Sequence, residues 1–300
     1  MRPLLVILGF LISTSLFSQK SFEGLKGING TNLYLRIEGQ GVPLLIIHGG
    51  PGLNHSYFTP YLDELATSFT LIYYDQRSSG RSAIPSPDSI SLKFFVKDIE
   101  AIREMIQAEK INILAHSWGS IPATQYCLTH PYHVSKLILS NPAPLSKEYD
   151  IEMAQFVASH MSKDDSLRRA QIISSRDFSV QNMTTLMKIN FRSSAYSKEN
   201  IDKLNINLPP DLDIANKALY TGLANDLASY NLYDLVKGLN FPVLIIEGKY
   251  DGIPAKSIAR LSEIIPGSRR VVFKKSGHFP FLEETGRYTQ VVRSFMTKGD

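Results

Sequence analysis

Two patterns of apolar residues alternate along most of this chain. Short, nearly continuous apolar runs occupy residues 43–48, 69–75, 111–115, 136–140, 243–247 and 271–273, which is how strands buried on both faces read. Between them lie longer segments with helical spacing, such as 92–108. The alternation predicts an α/β fold: a mainly parallel sheet flanked by helices on both faces. Ahead of the first run, Asn29-Gly30 separates 25–28 from 32–38 and predicts an opening β-hairpin.

The rhythm breaks once. Residues 144–240 are helix-like and rich in Ser, Asn, Lys and Asp, with no β-branched run long enough for a core strand. This interval reads as an inserted helical cap over a core built from 19–143 and 241–300. A second departure is at the start, where Arg2 precedes an apolar stretch over 4–17 that ends in Ser18 and Gln19. It reads as a signal peptide over residues 1–18, removed after Ser18. The stretch falls short of the ~20 apolar residues of a spanning helix. An uncleaved membrane anchor is therefore the alternative, and a buried first helix a further one. The expected location is exported, periplasmic or extracellular, with no stable membrane insertion after processing.

Composition narrows the partners. With 43% hydrophobic residues in 300, the chain can bury a sizeable core. Its net charge of +4 is spread out rather than gathered into a basic run, so nucleic acid is not an expected partner. Cys127 is the single cysteine. It can form no internal disulfide, and its place in an expected helix suits a buried thiol better than a nucleophile.

The chemistry begins at residues 111–115, a buried run that delivers His116-Ser117-Trp118-Gly119 into a helix starting near Ser120. Strand, tight turn and helix are the setting of a nucleophile elbow, which needs small residues two before and two after the serine; Ala115 and Gly119 supply them. A serine hydroxyl needs an imidazole to take its proton and a carboxylate to hold that imidazole in the right tautomer. Asp251 follows the run 243–247 and His278 follows 271–273. Both therefore fall on loops at the carboxyl ends of strands, in the chain order Ser, Asp, His. Taken singly, Asp251 reads as a turn residue and His278 as a surface or capping imidazole; taken together they read as a triad with Ser117.

The oxyanion requires backbone donors aimed at the developing charge. His48-Gly49-Gly50-Pro51-Gly52 follows the first buried run, and one donor is assigned to the Gly50 amide, the other to the amide of Trp118. His48 and Gly49 support that loop, His48 through a structural hydrogen bond. Pro51 removes a donor, which argues against phosphate binding. His55, His130, His133 and His160 lack metal-ligand spacing, so neither a metal nor another cofactor is expected.

At these motifs the sequence resembles the proline iminopeptidase branch of the α/β-hydrolase superfamily. The oxyanion loop, Asp75-Gln76-Arg77-Ser78-Ser79-Gly80-Arg81-Ser82, the elbow, Gly248-Lys249-Tyr250-Asp251 and Ser276-Gly277-His278-Phe279-Pro280 carry the likeness. It covers 24–143 and 241–297. Ser78 and Ala115 stand where the family has glycine. The resemblance implies an α/β-hydrolase fold and removal of an N-terminal residue from a short peptide, with an acidic cap residue binding the free amine. Glu148, Glu152, Glu199, Asp202, Asp226 and Asp234 are available, and the sequence singles out none of them.

The leading function is thus an exported serine aminopeptidase working through an acyl-enzyme on Ser117. The alternative keeps the triad for an ester, lactone or other amide, with Leu186, Met187, Phe191, Leu219 and Leu223 either lining an apolar pocket or, equally well explained, packing in the core. A third is a ligand-binding protein that retains the fold without turnover, for which the intact Ser117, Asp251 and His278 speak poorly.

Overall fold

Asn29 and Gly30 take φ angles of 45° and 74°, the left-handed pair that a two-residue hairpin turn demands. They join β1 (Phe22–Ile28) to β2 (Thr31–Gly39), which pair antiparallel from Phe22↔Ile37 to Ile28↔Thr31. The computed structural model describes residues 21–297; the signal peptide expected over 1–18 lies outside the described residues.

The remaining strands are β3 (Val42–Ile47), β4 (Phe69–Tyr74), β5 (Ile111–His116), β6 (Val134–Ser140), β7 (Val243–Gly248) and β8 (Arg269–Phe273). They form one eight-stranded sheet in the order β1-β2-β4-β3-β5-β6-β7-β8, antiparallel from β1 to β4 and parallel from there on. This is the α/β-hydrolase fold. Every residue of β4, β5 and β7 is buried, because both sheet faces are covered and alternate side chains enter different cores. Leu45 and Ile47 of β3 meet α1 (Leu92–Met105) and α2 (Ser120–Thr129) on one face, while Leu44 and Ile46 join the opposite core.

Helix α1 ends earlier than the apolar spacing over 92–108 suggests. Gln107 adopts φ 54°, its N–H donates to Glu104 O (2.9 Å), and the Ala108 N–H reaches Arg103 O (3.1 Å). That is a complete Schellman cap with glutamine where glycine is usual, which hid the stop.

Between β6 and β7 lie α3 (Asp150–His160), α4 (Lys163–Ser175), α5 (Val180–Arg192) and α6 (Leu212–Ala228). None of α3 is buried, and α4 buries only Ile172, whereas α6 sinks Leu219 and Leu223 into the sheet's core. After β7 come α7 (Ala255–Ile264), α8 (Pro280–Glu283) and α9 (Thr285–Thr297); α7 contributes to the same core as α1 and α2, and α9 lies in the opposite core. Cys127 is buried on α2, where burial pushes its thiol well above the ordinary range. Among the described residues, no helix is long and apolar enough to cross a membrane.

Candidate active site

Strand β5 ends at His116, and Ser117 turns the chain at φ 54°. A left-handed conformation is unfavourable for a residue with a side chain and persists only where its surroundings enforce it. The enforcement is visible in the packing: a Cβ on Gly119 would sit 2.5 Å from the His48 carbonyl oxygen, and one on Gly49 would sit 2.8 Å from Ser117 Cβ. Only glycines let the elbow and the loop after β3 approach this closely.

Three residues far apart in sequence meet there. His278 Nε2 lies 3.0 Å from Ser117 Oγ, and His278 Nδ1 lies 2.9 and 3.0 Å from the two carboxylate oxygens of Asp251. A carboxylate only accepts, so Nδ1 carries the hydrogen and Nε2 presents a lone pair to the serine hydroxyl. Asp251 is itself held by the Ile253 N–H at 3.2 Å and by Asn141 Nδ2 at 2.7 Å. Asn141 Nδ2 also donates to the Gly277 carbonyl at 3.0 Å, clamping the acid loop to the base loop. The two loops touch directly, since a Cβ on Gly248 would meet Gly277 O at 1.9 Å.

The loop after β3 is pinned by the motif that follows β4, one side chain at a time. Asp75, 1% exposed, accepts from the His55 backbone N–H (3.0 Å), His55 Nδ1 (2.6 Å) and the Arg81 N–H (2.9 Å). Gln76 donates its backbone N–H to His48 Nε2 (2.9 Å) and its side-chain amide to the His48 carbonyl (2.7 Å). His48 Nδ1 donates to Gly49 O (2.8 Å), and burial lowers its pKa to about 4, so it stays neutral and unsuited to act as a base in bulk exchange. Arg77 and Asp98 form a buried ion pair, with Nε to Oδ2 at 2.8 Å and Nη2 to Oδ1 at 2.5 Å. The Gly49 N–H is committed to Tyr57 Oη at 2.6 Å. Gly50 lines the cleft with Trp118, Ser117 and His278, and so keeps its place as a candidate donor.

The cleft holds about 480 Å³. Its walls are mostly apolar: Trp118, Ile121, Met153, Phe191, Leu227 and Tyr230. Of the five apolar residues that the sequence offered as a lining, only Phe191 is there. Leu219 and Leu223 are core residues on the sheet side of α6, and Met187 packs in the opposite core. None of the six acids considered from sequence reaches the cleft either. Glu148, Glu152, Asp202 and Asp234 pair with Arg260, Lys256, Arg192 and Lys237, Asp226 accepts the Leu92 N–H, and Glu199 binds Ser197 Oγ. The cap acid that does line it is Asp150, at the first turn of α3. Beside it, burial and then the Asp150 charge push the Tyr230 phenol up to about 12. A helix-opening aspartate looks like an ordinary response to the helix dipole, which is why the sequence did not single it out.

Two further features lie away from Ser117. A polar cleft of about 490 Å³ runs past His55, Asp75 and Arg81 beneath Asn205 and Asn207, and contains none of the three meeting residues. On the helical side, Glu100, His130 and His133 bring ligand-type atoms within 4.8 Å of one another, correcting the reading that these histidines lack such spacing. The third ligand comes from α1, outside their own segment. The donor set suits a cation poorly, however. Arg103 Nη2 and Nε already hold both Glu100 oxygens (2.5 and 2.9 Å), and Tyr126 donates to Oε2 (2.7 Å).

Comparison with known proteins gives the family and the fold. The profile of a family described as "alpha/beta hydrolase fold" matches residues 42–285. The proline iminopeptidase of Lactobacillus delbrueckii subsp. lactis is 28% identical over 296 residues, covering 89% of this chain and 95% of that protein. Among solved structures, an esterase from Exiguobacterium antarcticum superimposes with a TM-score of 0.70 at 22% identity, covering 92% of this chain and all 100% of the other. The proline iminopeptidase of Mycobacterium smegmatis superimposes with a TM-score of 0.69 at 19% identity, over 92% and 97%.

Proposed function

The chain belongs to the α/β-hydrolase family and is a serine hydrolase resembling its proline iminopeptidase branch, and we propose that it removes a small N-terminal residue from short peptides. In this reading Ser117 Oγ attacks the carbonyl carbon of the N-terminal residue while His278 Nε2 takes its proton. Asp251 steadies the imidazolium that forms. The amides of Gly50 and Trp118 hold the oxyanion. His278 then protonates the departing amine, leaving an acyl-enzyme that water, deprotonated by the same imidazole, hydrolyses.

The observation that carries the chemistry is the line Ser117 Oγ, His278 Nε2, Nδ1 and Asp251 at 3.0 and 2.9 Å. For the substrate, Asp150 supplies what a free amine entering an apolar cleft requires, a carboxylate at its wall. A cleft of about 480 Å³ fits a small residue rather than a long chain. The apolar lining also favours a second reading, hydrolysis of esters or lactones with a small apolar acyl group.

Turnover of a proline arylamide set against a p-nitrophenyl ester of an acid lacking an amine separates the two. In the peptidase reading, Asp150→Asn raises KM for the arylamide by about tenfold or more and leaves the amine-free ester unchanged. Ester turnover with no arylamide turnover rejects that reading and retains the esterase. On the sequence alone, residues 1–18 are proposed as an export signal, for which a mature protein beginning at Gln19 by intact mass is the check.

A further inference from the structure

We infer that Tyr57 is a positioning residue for the proposed reaction, locking the oxyanion loop, the elbow and the base loop together through His116. The inference rests on the triad reading above. Tyr57 lies in the turn His55–Phe58 and is 1% exposed. Its Oη meets the Gly49 N–H at 2.6 Å and His116 Nδ1 at 2.9 Å, and His116 Nε2 meets the His278 carbonyl oxygen at 2.8 Å.

These contacts admit one assignment of hydrogens. The His278 carbonyl only accepts, so His116 Nε2 carries the hydrogen and, in a neutral ring, Nδ1 must accept. Tyr57 Oη therefore donates its single hydrogen to Nδ1 and accepts from Gly49. Neutrality is enforced by burial, which holds His116 well below the usual imidazole range. The chain is closed off by Phe58 at 4.4 Å and Phe281 at 6.0 Å from the Tyr57 ring, and by Phe279 at 5.4 Å from the His116 ring.

Sheet pairing cannot do this job. Strands β5, β6 and β7 stand between β3 and β8 in the sheet, so the loops that follow β3 and β8 are not brought into register by any direct ladder. The relay joins them over the top of β5. It fixes the plane of the peptide preceding Gly49 and thus the course of the chain into Gly50. At the far end it holds the carbonyl of His278, and its middle member is covalently joined to Ser117. Tyr57→Phe keeps the ring but strands two buried groups, the Gly49 N–H and His116 Nδ1.

The test measures kcat on a p-nitrophenyl ester for Tyr57→Phe, His116→Phe and the double variant, per active site counted by a fluorophosphonate, and for Ser117→Ala, which the probe cannot label, per protein molecule. The expected result is a fall in kcat of about 10- to 100-fold for each relay variant, with KM within about twofold and the double variant no worse than His116→Phe. A kcat per titrated site within about threefold of wild type in Tyr57→Phe, or losses that multiply in the double variant, overturns the inference. If Tyr57→Phe fails to fold, the same comparison on His116→Phe decides it. Retained turnover in Ser117→Ala instead removes the triad reading beneath it; loss there with full activity in Tyr57→Phe removes the relay alone.

Discussion

Asp251 faces three donors at once: His278 Nδ1, Asn141 Nδ2 and the Ile253 N–H. Asp251→Asn therefore does more than remove a charge, since its amide can present a donor to His278 and favour the wrong tautomer. A fall in kcat of about 10⁴-fold is expected, with the fold retained by circular dichroism. Asn141→Ala should act more mildly, by about tenfold in kcat, because Asp251 keeps its histidine while the clamp to Gly277 is lost; an unchanged kcat would show that the clamp is dispensable. That Ser117, Asp251 and His278 come together was legible, because each follows an apolar run and the three come in a fixed order. Asn141, Tyr57 and Gln76 were not. Their partners lie 110, 59 and 28 residues away, and a lone polar residue after a strand looks like a turn. Asp150 hid for a different reason, having an ordinary place at a helix start.

Elements are tied together here by buried polar pairs as much as by apolar contact. Arg77, just past β4, and Asp98, in the middle of α1, are 1% and 0% exposed in their side chains. Burial alone pushes the Asp98 carboxyl up, against the pull of the guanidinium. Removing only the cation, as in Arg77→Met, leaves that carboxyl with Asn29 Nδ2 at 2.8 Å but no countercharge and should destabilise the protein by about 3–5 kcal/mol in urea unfolding; a change below about 1 kcal/mol would mean that solvent reaches the site. The sequence marked Arg77 only as part of a family motif. It carried no sign that Asp98 on a helix, rather than a ligand, was the motif's target. The strands β3 to β8, by contrast, lie within two residues of the apolar runs, whereas β1 begins at Phe22, three residues before the segment read from the hairpin turn, because most of its side chains are exposed.

Over the whole molecule, two neutral buried imidazoles contribute to how stability responds to acid. His48 has its pKa lowered from 6.5 to about 4, and His116 is held well below 6.5, both by burial. Unfolding returns them to the ordinary value, so below pH 6.5 the unfolded chain takes up protons that the native one refuses. Their contribution is fully present above pH 6.5 and is lost as the pH falls, for His48 toward about 4. Urea midpoints at about pH 8 and about pH 5 should show this loss, and His48→Asn, weaker at the higher pH, should lose less between them. Equal losses would contradict it. At this scale the parallel α/β architecture could be read from alternating runs, but the strand order could not, because β4 inserts between β2 and β3 through contacts that no local pattern records.

The proposed chemistry requires Ser117 to become covalently acylated with His278 as its base. Rapid mixing with a p-nitrophenyl ester, followed by intact and peptide mass measurement, tests this directly. The expected result is a burst of one p-nitrophenol per active site with the acyl group on Ser117, and no burst in His278→Ala. Steady turnover by Ser117→Ala, or a burst whose acyl group sits on another residue, would contradict it.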